Sequence, residues 1–335
     1  MCIVLATTAH PSYALIILDN RDEFILRPTS RPHWWTTPTT SQEILSARDL
    51  QREEQGTWLG ITKTGNFAVL TNYRETDTSD AALHPVQGTR SRGGMVTAWL
   101  TAGEEETTQE FVQRMMAGDG VKGVGGFSLL CGKLRLRRRK EVERERERER
   151  DLEPLAIISN RCETLGHVPW IAGRRGEVYG LSNTSFDDLD VWPKVEIGRK
   201  KVLQAVQEAV GEEDLVNRLF EVLDTNTLPK QEGKEFEAYL YELRKSIFIP
   251  SIGSVAPVKD PPNLNPNVTT GIYGTQRQTI VIVDWEGKVT FRERSLWDVM
   301  GNPIERGKGD MKFEFNIEGW NNESKGNDVY PHAVL

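Results

Sequence analysis

Apolar positions in this chain fall into short blocks separated by turn residues. Cys2-Ile3-Val4-Leu5-Ala6-Thr7-Thr8 reads as a buried strand. Pro11-Ser12 turns it, and Tyr13 to Leu18 reads as its antiparallel partner. Five polar residues, Asp19-Asn20-Arg21-Asp22-Glu23, then close that strand, and Phe24 to Thr40 reads as a proline-rich loop carrying Trp34-Trp35. Thr57 to Thr62 and Asn66 to Asn72 flank Lys63-Thr64-Gly65, a hairpin signal. Helical patterns follow from Ser91-Arg92-Gly93-Gly94 to Leu100 and from Thr108 to Met116. Phe127 to Cys131, Leu155 to Ser159 and Glu177 to Leu181 read as strands. Pro193 to Val210, with proline suited to a first helical turn, and Glu213 to Leu223 read as helices. Gln278 to Asp284 and Val289 to Arg294 form a second hairpin, and Met311 to Ile317 adds a last strand.

Strands and helices come in groups and do not alternate regularly. That order disfavours a doubly wound parallel sheet and favours antiparallel sheets with segregated helices. No Gly/Ser-rich linker or internal repeat divides the 335 residues, so a single domain over 1–335 is expected. Two regions stand outside its pattern. One is a charged low-complexity insertion over about 135–154, where Glu and Arg alternate from Glu143 to Arg150. The other is a C-terminal extension over about 300–335.

Composition narrows the function. A net charge of -7 gives no general basic surface for nucleic acid, and three cysteines exclude a disulfide scaffold and suit a reducing compartment. The apolar blocks are strand-sized, far below the ~20 residues a bilayer requires, and the start lacks the basic n-region of a signal peptide. A soluble, cytoplasmic protein is the expectation. Five scattered histidines with no ligand spacing point to no metal site.

The chemistry concentrates at the start. If Met1 is removed, Cys2 carries a thiol and a free α-amine on one Cα, and the amine can serve as general base for the thiol. The antiparallel return brings Asn20-Arg21-Asp22-Glu23 near Cys2, where Asp22 can hold the amine. Asn72 and Asn183 each close a strand, as in Leu70-Thr71-Asn72-Tyr73 and Leu181-Ser182-Asn183-Thr184, and can donate to an oxyanion. Trp34 and Trp35 either pack or form an apolar lid over a ligand.

Cys2, Asn20-Arg21-Asp22-Glu23, Gly56-Thr57-Trp58-Leu59-Gly60, Leu70-Thr71-Asn72-Tyr73, Ser91-Arg92-Gly93, Tyr179-Gly180-Leu181-Ser182-Asn183, Trp192-Pro193-Lys194, Ser246-Ile247-Phe248-Ile249 and Tyr273-Gly274-Thr275 run in one order along the chain. As a set they resemble the NRDE family, also named for transport and Golgi organization. The resemblance implies an α+β, four-layer αββα N-terminal-nucleophile (Ntn) hydrolase-like sandwich of two antiparallel sheets flanked by helices. It implies Cys2 as nucleophile, Asp22 orienting its amine, and Asn72 and Asn183 on the oxyanion side, as in choloylglycine hydrolases and acid-ceramidase-like amidases. Asn20, Arg21, Arg277, Trp34 and Trp35 are candidates for substrate contact or support of the site. The sequence departs from those enzymes at Asp19, where they carry an early arginine, and at Gln276, where many relatives carry the arginine that here follows as Arg277.

Two functions stay open at this point. One is cysteine-dependent hydrolysis of an amide or thioester. The other is non-catalytic binding and trafficking of haem or an acyl lipid on the same fold. The resemblance also implies links to Golgi organisation, secretion and lipid or haem homeostasis. It requires no cofactor, with haem only a transported ligand, and it admits association with Golgi or mitochondria and peripheral membrane contact.

Overall fold

A computed structural model describes residues 1–37, 40–73, 90–117, 120–137, 150–160, 162, 164–229, 241–253 and 271–321. In chain order its elements are β1 (Ile3–Thr7), β2 (Tyr13–Phe24), β3 (His33–Thr37), β4 (Thr40–Ser46), β5 (Leu59–Thr62) and β6 (Asn66–Asn72). Helices α1 (Gly93–Leu100) and α2 (Thr108–Ala117) follow, then β7 (Phe127–Lys133), β8 (Leu155–Ser159), β9 (Trp170–Ile171) and β10 (Val178–Leu181). Helices α3 (Pro193–Glu208) and α4 (Glu212–Leu223) precede β11 (Tyr273–Asp284), β12 (Lys288–Ser295) and β13 (Asp310–Asn316).

Among the described residues the strands form two antiparallel sheets. One has six strands in the order β10-β1-β2-β11-β12-β13, and the other seven in simple succession from β3 to β9. Side-chain alternation explains how they stack. In the six-stranded sheet, Val4, Ala6, Leu15 and Ile17 point toward the other sheet, while Ile3, Leu5, Ile16 and Leu18 point to the opposite face. In the seven-stranded sheet, Phe67, Val69, Leu155 and Ile157 meet the first set. Ala68, Leu70, Ala156 and Ile158 face away. Both faces of the central strands are buried, which is why β1 and β2 read as continuous apolar runs.

Helices cover the two outer faces. Val195, Val202 and Val206 of α3 and Leu215, Leu219 and Phe220 of α4 pack on the six-stranded sheet. Met95, Val96 and Trp99 of α1 and Phe111 and Val112 of α2 pack on the seven-stranded sheet. The result is the expected α+β sandwich, helices–sheet–sheet–helices. Pro193 opens α3 as anticipated, and Gly211, at φ 86°, makes the left-handed step into α4. Glu212, Glu213 and Asp214 in the first turn of α4 suit the positive end of its dipole.

The structure differs from the sequence reading in three places. The polar pentad does not end β2. That strand runs on to Phe24, because β1 pairs along one edge and β11 along the other, so its backbone groups stay in the ladder. The stretch read as loop contains β3, with Trp34 and Trp35 inside it, paired to β4 as the edge of the seven-stranded sheet. β11 begins at Tyr273, five residues before the expected start, with a register shift between Thr275 and Arg277.

The centre of the Glu/Arg tract, 138–149, lies outside the described residues. Its flanks are tied together: the Arg137 N–H donates to the Asp151 carbonyl at 2.7 Å and the Glu153 N–H to the Arg135 carbonyl at 2.9 Å. The region from 300 onward includes β13, an edge strand, and Trp320, 4% exposed against the core between the sheets. Residues 322–335 lie outside the described set.

Candidate functional site around the N-terminal strand

The β1 register assembles the site. Ile3 pairs with Asn20 on one side, and Val4 pairs with Leu181 on the other. Continuing both registers by one residue sets Cys2 beside Arg21 and Asn183, and by two sets Met1 beside Asp22. Observed contacts agree. Ser182 Oγ donates to the Cys2 carbonyl at 2.8 Å, and the Met1 α-amine lies 3.4 Å from Asp22 Oδ2. The same amine donates to the Tyr273 hydroxyl.

Cys2 is half-buried, and its Sγ donates to the Asp22 carbonyl at 3.8 Å. Burial pushes the thiol up to about 11, against the pull of the nearby α-amine. Asp22 is 5% exposed; burial raises its carboxyl above the ordinary value, opposed by the α-amine, Lys194 and a 2.6 Å hydrogen bond from Thr275 Oγ1. The α-amine itself is held below its usual value by burial, with Asp22 and Cys2 pulling the other way. The first residues are thus a low-dielectric cluster of one carboxylate, one amine, one thiol and one lysine.

Lys194, at the second position of α3, is fully buried. Its Nζ donates to the Met1 carbonyl at 2.7 Å and to the Cys2 carbonyl at 3.3 Å. The sequence reading quoted Trp192-Pro193-Lys194 and Tyr273-Gly274-Thr275 but assigned no role to Lys194, Tyr273 or Thr275. One signal was available for Lys194. A cation in the first turn of a helix opposes the dipole, so its presence there calls for a specific partner.

Asn72 and Asn183 meet. Asn183 is 4% exposed and its Nδ2 donates to the Asn72 carbonyl at 2.5 Å, joining the end of β6 in one sheet to the second residue after β10 in the other. Arg21 lies between the sheets, its guanidinium 4.2 Å from the Trp58 ring centroid and donating to Gln276 Oε1. Gln276 occupies the register shift in β11, and its Nε2 donates to the Ile25 and Arg27 carbonyls at 2.9 and 3.1 Å.

Other candidates face elsewhere. Asn20 has the parity of Ile16 and Leu18. Its Nδ2 donates to the Leu223 and Ile247 carbonyls at 2.8 and 3.0 Å, on the helical face of the sheet. Arg277 joins a buried cluster with Glu293 at 3.3 Å and donates to Thr29 Oγ1 at 3.1 Å. Trp34 packs edge-on against Phe315 with ring centroids 5.0 Å apart. Trp35 donates from Nε1 to Ser46 Oγ at 2.9 Å and lies under the Arg48 guanidinium. Both tryptophans thus make packing contacts within and beside the sheet edge.

Among the described residues, no group of three or more histidines, cysteines or carboxylates is placed to hold a metal ion. No helix among them is long and apolar enough to cross a membrane.

An uncharacterised protein of Saccharomyces cerevisiae is 26% identical over 345 residues, covering 95% of this chain and 100% of its own length. The human Transport and Golgi organization protein 2 homolog is 27% identical over 321 residues, covering 89% of this chain and 94% of its own. The mouse homolog is also 27% identical, over 317 residues, with the same coverage. Among solved structures, penicillin V acylase from Agrobacterium tumefaciens superposes with a TM-score of 0.43 at 12% identity, covering 94% of this chain and 86% of that one. A mutant conjugated bile acid hydrolase from Clostridium perfringens gives 0.38 at 10% identity, covering 100% and 97%. Residues 1–298 match the sequence family described as Transport and Golgi organisation 2. With that match spanning most of its length, the chain belongs to the Transport and Golgi organisation 2 family.

Proposed function

We propose that this protein is a cysteine-dependent hydrolase of amide or thioester bonds, active once Met1 has been removed. The observation that carries the reading is the buried Asp22, whose carboxylate lies 3.4 Å from the Met1 amine and whose main-chain carbonyl accepts from the Cys2 thiol. With Met1 gone, the α-amine belongs to Cys2. It takes the thiol proton, directly or through one water, and the thiolate attacks the substrate carbonyl. The resulting ammonium returns the proton to the leaving amine or thiol, and water then releases the acyl group from Cys2. Asp22, fixed by Thr275, orients the amine; Asn183 and Asn72 stand on the side where oxyanion charge develops. Intact-mass measurement of the purified protein is the first test. A chain beginning at an unmodified Cys2 supports the reading, whereas retained Met1 or an acetylated Cys2 overturns it.

One observation favours a second reading. While Met1 is in place, the amine is one residue away from the thiol, and the thiol sits up at about 11. Only ~0.01% of it is thiolate at neutral pH, since each pH unit below the pKa is a factor of ten. In that state the fold serves as a binding protein for an acyl lipid or haem, and Golgi organisation follows from transport. Cys2→Ala separates the two: it abolishes hydrolysis under the first reading and leaves ligand binding intact under the second.

A further inference from the structure

Lys194 is a costly residue in its position. It is 0% exposed, and a buried ammonium carries a desolvation penalty of several kcal/mol, which the Asp22 charge opposes without direct contact. It also stands at the positive end of α3. Among the described residues no carboxylate lies within 4 Å of its Nζ. Its direct partners are two backbone carbonyls, of Met1 at 2.7 Å and Cys2 at 3.3 Å, with the Trp192 ring centroid at 5.5 Å. An apolar side chain of similar length would fill the same space between α3 and β1 at less cost. The cation therefore needs an explanation beyond packing.

We propose that Lys194 is a positioning residue of the N-terminal site: its ammonium holds the start of β1 through the Cys2 carbonyl, the partner that outlasts Met1, and disfavours a second positive charge on the α-amine that Cys2 then carries. This rests on the reading of Cys2 as a nucleophile activated by its own amine.

Charge counting gives the reason. The groups facing the chain start, where the Met1 amine stands in this structure, are Asp22 from β2, the Cys2 thiol, the Tyr273 hydroxyl from β11 and Lys194 from α3; Asp19, Arg21 and Glu23 lie further along β2, and Arg92, just before α1, is coupled to Cys2 and Glu23. With Asp22 ionised, Lys194 charged, the thiol protonated and the amine neutral, the innermost group has no net charge. Protonating the amine would leave a buried net charge of one. Moving the thiol proton to the amine, by contrast, breaks S–H, forms N–H and leaves the net charge unchanged. Lys194 thus favours the free-base amine as resting state without penalising the transfer that activates the thiol. Burial brings Lys194 down to about 8, which leaves it mostly charged at neutral pH. In this structure the same charge is among the influences that lower the Met1 α-amine, after burial itself.

The test prepares the full chain with Cys2 as its first residue, by cleaving an upstream tag. It then follows iodoacetamide alkylation of Cys2 against pH, with peptide mapping to separate Cys2 from Cys162. No substrate is needed, so a protein that proves not to be a hydrolase still reports on Lys194. Lys194→Met is expected to move the acid limb of the alkylation profile upward by about one pH unit, an alkylation rate ~10-fold lower at neutral pH. Lys194→Arg is expected to restore the wild-type limb. An unmoved limb in folded K194M overturns the proposal. If K194M does not fold, Lys194→Gln is read in the same way: a limb moved upward supports the proposal, and an unmoved limb overturns it.

Discussion

Asn20 offers the sharpest test of how polar residues are used inside β2. Its side chain is 0% exposed, and its amide caps two carbonyls: Leu223, at the C-terminal end of α4, and Ile247, in the segment after it. The last carbonyls of a helix have no partner within the helix, so the sheet supplies one here. Asn20→Leu keeps the number and branching of the side-chain heavy atoms but removes both donors. Each lost hydrogen bond is worth ~1 kcal/mol, and a carbonyl left buried without a partner costs ~1–3 kcal/mol. Some relaxation at the helix end is expected, which gives a net loss of about 3–4 kcal/mol. An unfolding entropy of ~2.1 cal/mol/K per residue amounts to ~0.7 kcal/mol/K over 335 residues, so the melting temperature should fall by about 4–6 °C. Scanning calorimetry of the wild type and N20L measures this directly. A shift below about 1 °C would refute the capping argument. It would revive Asn20 as a residue kept for ligand contact, whose loss shows in binding and not in melting.

Asp19 is 1% exposed, its Oδ2 has no hydrogen-bond partner among the described residues, and burial with the nearby Asp22 charge raises its carboxyl well above 3.8. The folded state therefore keeps a proton that the unfolded state releases, and stability falls as pH rises from the ordinary carboxylate range through the folded value. Asp19→Asn cannot ionise, so its urea midpoint should gain on the wild type as pH rises above the ordinary carboxylate range; parallel midpoints would contradict this. A Cβ on Gly56 would meet the Gly93 carbonyl carbon at 2.8 Å, backbone against backbone. Gly56→Ala should cost ~1–3 kcal/mol by overpacking, read as a lowered denaturation midpoint, and an unchanged midpoint would show that the α1 start can move aside. Asn183→Ala removes the 2.5 Å tie between the sheets at the site and should cost ~1–2 kcal/mol, measured in the same way.

Much of this arrangement was legible from the chain. Two apolar runs around Pro11-Ser12 specified β1 and β2, and the antiparallel return specified Asp22 beside the first residues. Asn72 and Asn183 each followed an apolar run, and the structure brings them together. The misreadings of β2 and β11 share one physical cause, the assumption that polar residues mark the end of a strand. In β2 they continue it, because Asn20, Arg21 and Asp22 each find a partner on a different neighbouring element. Strand parity alone, Asn20 sharing the face of Ile16 and Leu18, would have assigned Asn20 to the helical side. β3 was hidden by Pro32 and Pro38 at its borders, which read as loop. Lys194 was hidden by its type, since lysines are almost always at the surface. Only tertiary structure shows that α3 carries it onto the first two carbonyls.

The central pairing of the six-stranded sheet, β2 with β11, joins residues far apart in the chain: Asp22 and Thr275 are 253 positions from each other. At ~5–20 residues per second of synthesis, β2 emerges from the ribosome about 13–50 s before the strand that will lie beside it. Throughout that interval Ala14 to Leu18 have β1 along one edge and no lasting neighbour along the other. The candidate site therefore comes into being only after Thr275 has been made, and the nascent chain has to keep an apolar strand edge from pairing elsewhere until then.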